Sequence, residues 1–126
     1  YLAVQEGEIE RAIVLLREMA SRSVRWREEL AKFYVELKRY KEGSAEYMLL
    51  YKGAKTAGDK KRYLMKALQA LQYGALMEEA TVLARQYEYL YYRDEAMSRM
   101  FIKLYLGAEK LEDAKRVSIK RLKYME

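Results

Sequence analysis

The sequence predicts an all-α fold, an α-solenoid of stacked antiparallel helix hairpins with about three and a half repeats. Three observations predict it. Apolar residues recur at i, i+3, i+4 and i+7 along the whole chain, the spacing that lines one side of a helix. No window alternates apolar and polar residues as a strand does. A small residue that follows an acidic or polar run returns at Ala12, Gly43, Ala80 and Ala114, at spacings of 31, 37 and 34 residues that average 34. Such self-similarity within 126 residues denotes a row of supersecondary units, each too small to bury its apolar face alone.

Taken in order, helices are expected at about 8–20, 24–40, 43–57, 60–75, 77–91, 95–108 and 111–125. The first carries the stripe Ile9, Ala12, Ile13, Leu16, and residues 1–5 read as the end of a preceding helix. Trp26, Leu30, Phe33, Tyr34 and Leu37 line the second, with Ser21 and Ser23 as cap candidates. Tyr47, Leu50, Tyr51 and Ala54 line the third; Gly58 is expected to end it in a left-handed conformation, and Asp59 to cap the fourth. That helix shows Leu64, Ala67, Leu68, Leu71 and Ala75, and the fifth Ala80, Leu83, Ala84, Tyr87 and Tyr91. Asp94 is placed to cap the sixth, which shows Met97, Phe101, Leu104, Tyr105 and Ala108. The last stripe is Leu111, Ala114, Val117, Leu122, Met125. One segment results, with repeats at about 1–22, 23–58, 59–93 and 94–126.

In the first helices Leu30-Ala31 followed by Tyr34, and Phe101 followed by Tyr105, give a bulky residue and then an aromatic. Small residues open the second helices, where the two helices of a hairpin cross closely. These features resemble the tetratricopeptide-repeat (TPR) family over nearly the whole chain. The resemblance implies a right-handed superhelix whose first helices line a concave groove. The proline that often closes a TPR unit is absent, and spacings of 31 and 37 depart from a strict 34. Shorter Sel1-like hairpin repeats are the alternative. Proline-poor repeats, abundant Tyr and a basic surface also resemble the scaffold region of Pel-type exopolysaccharide export proteins. That likeness implies a bacterial periplasmic scaffold that recruits a polysaccharide-modifying enzyme.

Composition narrows the chemistry. The chain has no Cys, His, Pro or Asn, which removes disulfides, thiolate nucleophiles and any metal or haem site built on Cys or His. An enzyme would have to work with carboxylates, Lys or Tyr, and a non-enzymatic chain without cofactor or metal is expected. The missing Asn also removes the Lys–Asn carboxylate clamp by which some TPR proteins hold a chaperone's C-terminus. No P-loop, dinucleotide or EF-hand pattern occurs, since the 6 glycines are isolated. No run of 18 apolar residues is present, and a start at Tyr1 without a leader pattern reads as a segment of a longer protein. The lack of Cys suits periplasm and cytoplasm equally.

Under the resemblance, the groove falls to the polar sides of the first helices. Arg25, Lys32, Arg62, Gln69, Tyr73, Arg99 and Lys103 are its partner-binding candidates, beside Glu28, Glu36 and Gln72. Basic residues outnumber acidic ones there, so an acidic protein or peptide partner is expected. An RNA-binding repeat module is the alternative, because basic runs at Lys52–Arg62 and Lys115–Lys123 would displace counterions from phosphates. Interspersed acids and a modest net charge of +6 instead favour solvated helix faces. Within Tyr87-Glu88-Tyr89-Tyr91-Tyr92, clustered aromatics could stack on sugars, bases or peptide side chains. Helical spacing assigns Tyr87 and Tyr91 to the buried stripe and leaves Tyr89 and Tyr92 half exposed. Trp26 shares the side of Leu30 and is read as core. Glu28-Glu29, Glu78-Glu79 and Glu112-Asp113 are structural, because neighbours on a helix point about 100° apart. With most of a first helix missing, Ile9, Ile13 and Leu16 are expected to lack a partner, which predicts self-association through the N-terminal end.

Overall fold

The computed structural model describes the backbone of residues 2–125 and the side chains of residues 6–124. Among them are seven α-helices and no strand. They are α1 (Leu2–Ala20), α2 (Val24–Glu36), α3 (Tyr40–Gly53), α4 (Ala57–Tyr73), α5 (Met77–Tyr87), α6 (Glu95–Gly107) and α7 (Leu111–Met125), with one 3₁₀ turn at Glu88–Leu90. The chain divides into two compact units, Tyr1–Ala70 and Leu71–Glu126.

Three of the helix junctions have one geometry. Lys38, Ala75 and Glu109 take φ of 62°, 57° and 60°, the left-handed conformation that ends a helix. The N–H groups of Arg39, Leu76 and Lys110 donate back to the carbonyls of Tyr34, Leu71 and Tyr105, each at 2.8 Å. Those of Lys38, Ala75 and Glu109 donate to Val35, Gln72 and Leu106 at 2.9, 3.0 and 3.1 Å. Each pair of bonds satisfies last-turn carbonyls that would otherwise lack partners. The next helix begins at once, and five residues after each left-handed residue stands Gly43, Ala80 or Ala114. The repeat read from small residues is therefore a repeat of backbone geometry at 37 and 34 residues.

Four local expectations are corrected. No glycine has positive φ. Gly58 lies in the first turn of α4, which starts at Ala57 because Thr56 Oγ1 accepts the Asp59 N–H (3.1 Å). Thr56, not Asp59, is the cap. Asp94 does cap α6, accepting the Met97 N–H at 2.9 Å. The break expected near residues 6–7 is absent, for α1 runs continuously through Gly7, whose surroundings are open; Tyr1 lies outside the described residues. Helix α5 stops at Tyr87 rather than near 91, and the chain tightens where Glu88 turns inward.

Unit one is built on α1 to α3 and most of α4. Ile13 and Ala20 of α1 bury against Leu30 and Tyr34 of α2, flanked by Ile9, Leu16, Phe33 and Leu37. The stripe expected to lack a partner within its own hairpin is covered by α2, and among the described side chains the exposed apolar residues of α1 are Val14 and Leu15. Helices α2 and α3 cross closely at Gly43, where an added Cβ would lie 2.8 Å from Val35 Cγ2 and 3.3 Å from the Ala31 carbonyl oxygen. Ser44 Oγ donates to the Ala67 carbonyl of α4 at 2.9 Å, so a buried hydroxyl is satisfied across the α3–α4 interface. In unit two the interior is Met97, Phe101, Leu104 and Tyr105 of α6 with Ala80 and Ala84 of α5 and Val117 of α7, all fully buried.

Candidate functional site: basic helix faces and a buried carboxylate network

In unit one, α2 carries Arg25 and Lys32 at exposed positions, and α4 carries Arg62 and Gln69. Helical spacing places Lys61, Arg62, Met65, Lys66 and Gln69 around one shallow depression along α4. Much of the expected field is locally cancelled. Arg62 lies 3.6 Å from Glu28 and 3.4 Å from Asp59, and its guanidinium covers the Tyr63 ring at 4.4 Å. The Tyr63 hydroxyl donates to Glu28. Burial, then the Glu28 carboxylate, pushes the Tyr63 pKa up. Lys32 pairs with Glu29 at 3.9 Å. Exposed pairs of this kind add little stability but do reduce the charge a ligand meets.

In unit two, Tyr73 is 71% exposed. Arg99 and Lys103, one turn apart on α6, line a second depression with Glu95, Ile102 and Arg121 of α7. Glu95 holds Arg99 at 2.6 Å; Lys103 makes no ion pair among the described residues, and Arg121 donates to the Tyr92 carbonyl at 3.1 Å. Three cations face one carboxylate over the apolar Ile102. Sequence reasoning placed Arg121 in the basic run Lys115–Lys123 and not among the groove candidates; it enters this group through the packing of α7 on α6. The seven candidates thus fall into two sets, Arg25, Lys32, Arg62 and Gln69 in one unit and Tyr73, Arg99 and Lys103 in the other.

The tyrosine run conceals a different feature. Tyr87 and Tyr91, expected in the buried stripe, are only half-buried, Tyr92 is half-buried as expected, and Tyr89 is more exposed than expected; the centre is Glu88, only 3% exposed. Its carboxylate accepts from Arg116 Nε (2.9 Å) and Nη2 (2.6 Å), from the Tyr92 hydroxyl (2.6 Å) and from the Tyr105 hydroxyl (2.5 Å). Arg116 Nη2 also reaches Asp113 at 2.6 Å, and Arg85 grips Asp113 through Nε (3.0 Å) and Nη2 (2.6 Å). Two carboxylates and two guanidiniums balance to zero charge, with every carboxylate oxygen taken. Burial works against the Glu88 charge, yet Arg116 and the two hydroxyls outweigh it and hold its pKa below the ordinary value. Arg85 first, with Arg116, draws the Asp113 pKa down to about 2. Burial and Glu88 push the Tyr92 pKa up to about 12.

Arg116 therefore leaves the solvated basic run in which the sequence placed it, and Asp113 proves structural as expected. Trp26 departs from the core reading. It is 37% exposed and borders a depression with Leu15 and Met19. Among the described residues no helix is long and apolar enough to cross a membrane. Compared with known proteins, the chain matches no family model, no curated protein and no solved structure.

Proposed function

We propose that this chain is a non-enzymatic interaction scaffold of TPR-like hairpins, part of a right-handed α-solenoid, that docks an acidic protein or peptide on its first helices. The repeated left-handed junctions and the close crossing at Gly43 support the hairpin-repeat reading. The observation that carries the function is the α6 depression, where Arg99, Lys103 and Arg121 stand with Ile102 against a single carboxylate, Glu95. A cationic strip with an apolar floor suits an acidic segment with an apolar anchor, and preformed helices bind it with little ordering loss. The more specific form, a scaffold for a polysaccharide-modifying enzyme in exopolysaccharide export, rests on the resemblance alone.

Fluorescence anisotropy with a labelled Glu-rich peptide carrying one Leu anchor tests this. Arg99→Glu with Lys103→Glu should weaken binding by about tenfold or more, as opposed charges face the peptide. Arg62→Glu should matter less, because Glu28 and Asp59 already neutralise Arg62. Unchanged binding by the α6 double variant would remove the assignment.

A further inference from the structure

The internal repeat marks out two apolar residues that the hairpin itself does not require. Val24 stands fourteen residues before the left-handed Lys38, where Lys61 and Glu95 stand before Ala75 and Glu109. Leu49 stands six residues after Gly43, where Glu18, Gln86 and Lys120 follow Ala12, Ala80 and Ala114. At every matching place elsewhere the side chain is thus polar or charged. Val24 and Leu49 are 65% and 48% exposed, and both border one cleft of about 390 Å³ between α2, α3 and α4. Single exposed apolar residues are ordinary, whereas two that meet at one concavity have the pattern of a ligand site. Buried Leu50 and Tyr63 complete its apolar lining. Gly53 adds no side chain to it, and a Cβ placed there would meet nothing within 4 Å. The whole lining comes from residues 24–63, inside unit one.

Charge at the rim selects the ligand. Arg27, Lys55 and Asp59 also line the cleft. Arg27 is held by Glu46 at 2.6 Å, and Asp59 faces Arg62 at 3.4 Å. Lys55 makes no ion pair among the described residues, so the uncompensated charge of the cleft is positive. We infer that this cleft binds a short-chain carboxylate, with its alkyl tail on Val24, Leu49 and Leu50 and its head on the Lys55 ammonium. The volume lies at the small end of the range of ligand pockets, about 300–1,000 Å³, which suits one short chain rather than a segment of protein. The tail takes apolar surface out of water, and the carboxylate accepts a charge-assisted hydrogen bond from Lys55. A cationic head would meet Lys55 as a like charge. This site shares no residue with the α6 depression and does not depend on the function read there.

Octanoate and octylammonium, each titrated into the whole chain, test this with the methyl NMR signals of Val24, Leu49 and Leu50 as the readout. Octanoate should shift those methyls saturably with a Kd below about 1 mM, at least about tenfold tighter than octylammonium. Leu49→Gln installs the neutral side chain that stands at the matching place in α5. Its melting temperature should hold within about 2 °C, because Leu49 is exposed, while its affinity for octanoate falls at least about tenfold. Lys55→Glu should reverse the order of the two ions and also leave the melting temperature in place. The proposal is overturned by any of four results. They are no saturable shift up to about 10 mM octanoate, equal affinity for the two ions, shifts as large at exposed leucines outside the cleft such as Leu106, and undiminished binding by Leu49→Gln.

Discussion

Glu88 stands eight residues after Ala80, as the buried Ala20 and Tyr51 stand eight after Ala12 and Gly43, and the charge of a carboxylate there is balanced by Arg116, which arrives from 28 residues away. Removing one partner of a buried pair leaves an uncompensated charge, at about 3–5 kcal/mol. Arg116→Met should therefore destabilise unit two by about 3 kcal/mol, toward the low end because the Tyr92 and Tyr105 hydroxyls remain on Glu88. The pH response distinguishes this from simple loss of packing. Both carboxylates have depressed folded pKa values, so their stabilisation is complete above the unfolded values, near 4, and is lost as pH falls below them, for Asp113 toward about 2. In Arg116→Met the sign reverses for Glu88, whose burial then raises its pKa, and acidification through that value should restore stability. Urea midpoints between pH 7 and 2 check both slopes; parallel profiles for the two proteins would show that Glu88 is solvated. The sequence displayed the tyrosines around Glu88 plainly. It gave no sign of Arg116, because helical spacing sorts residues by face and says nothing of which distant cation meets them.

At the scale of the element, two opposite exchanges of glycine and alanine probe different causes. Gly43→Ala gains about 1 kcal/mol of helix propensity. It also forces a methyl to 2.8 Å from Val35 Cγ2 and 3.3 Å from the Ala31 oxygen, an overpacking of about 1–3 kcal/mol. Val35 is β-branched and the oxygen is backbone, so neither yields readily, and a net loss of about 1 kcal/mol is expected. Ala75→Gly acts the other way. An L-residue in the left-handed region is strained by about 1–2 kcal/mol, while glycine loosens the unfolded chain by about 0.4–1 kcal/mol. A net gain of about 0.5 kcal/mol should appear in the denaturation midpoint. Stabilisation by Gly43→Ala would mean that α2 and α3 do not meet as closely as drawn. Helix number and order were legible because each stripe spans several turns, and Gly43, Ala80 and Ala114 marked the crossings. The stops were not, because Lys38, Ala75 and Glu109 carry no sequence mark of positive φ. Gly58 misled for the complementary reason, since a glycine beside Thr56 fits a helix start as well as an end.

For the whole molecule the informative quantity is how its net +6 is distributed. Arg62, Lys32 and Arg99 each have a carboxylate within 4 Å, so the basic surface that the resemblance implies is locally neutralised at these positions, while three cations and one carboxylate line the α6 depression. Local ion pairing was illegible beforehand because Glu28 and Arg62 are 34 positions apart in sequence and meet only across α2 and α4. A patchy field makes salt dependence the discriminating measurement between partner classes. An acidic peptide that engages two or three cations should lose affinity moderately between 50 and 200 mM salt, mainly through slower association. A single-stranded RNA would have to lay several phosphates over cations, and each one neutralised adds about 0.7 to the log–log slope. With the Glu-rich peptide and a uridine oligonucleotide measured side by side, the peptide should bind with a slope of about 2 or less. RNA should show only weak binding that salt removes. Arg99→Glu with Lys103→Glu should lower the peptide's association rate while leaving the melting temperature within about 1 °C, since both side chains are exposed and Arg99 holds only a surface pair. A steep slope for RNA combined with tight binding would reassign the surface to nucleic acid, because a protein-docking face with three cations and one acid cannot neutralise that many phosphates.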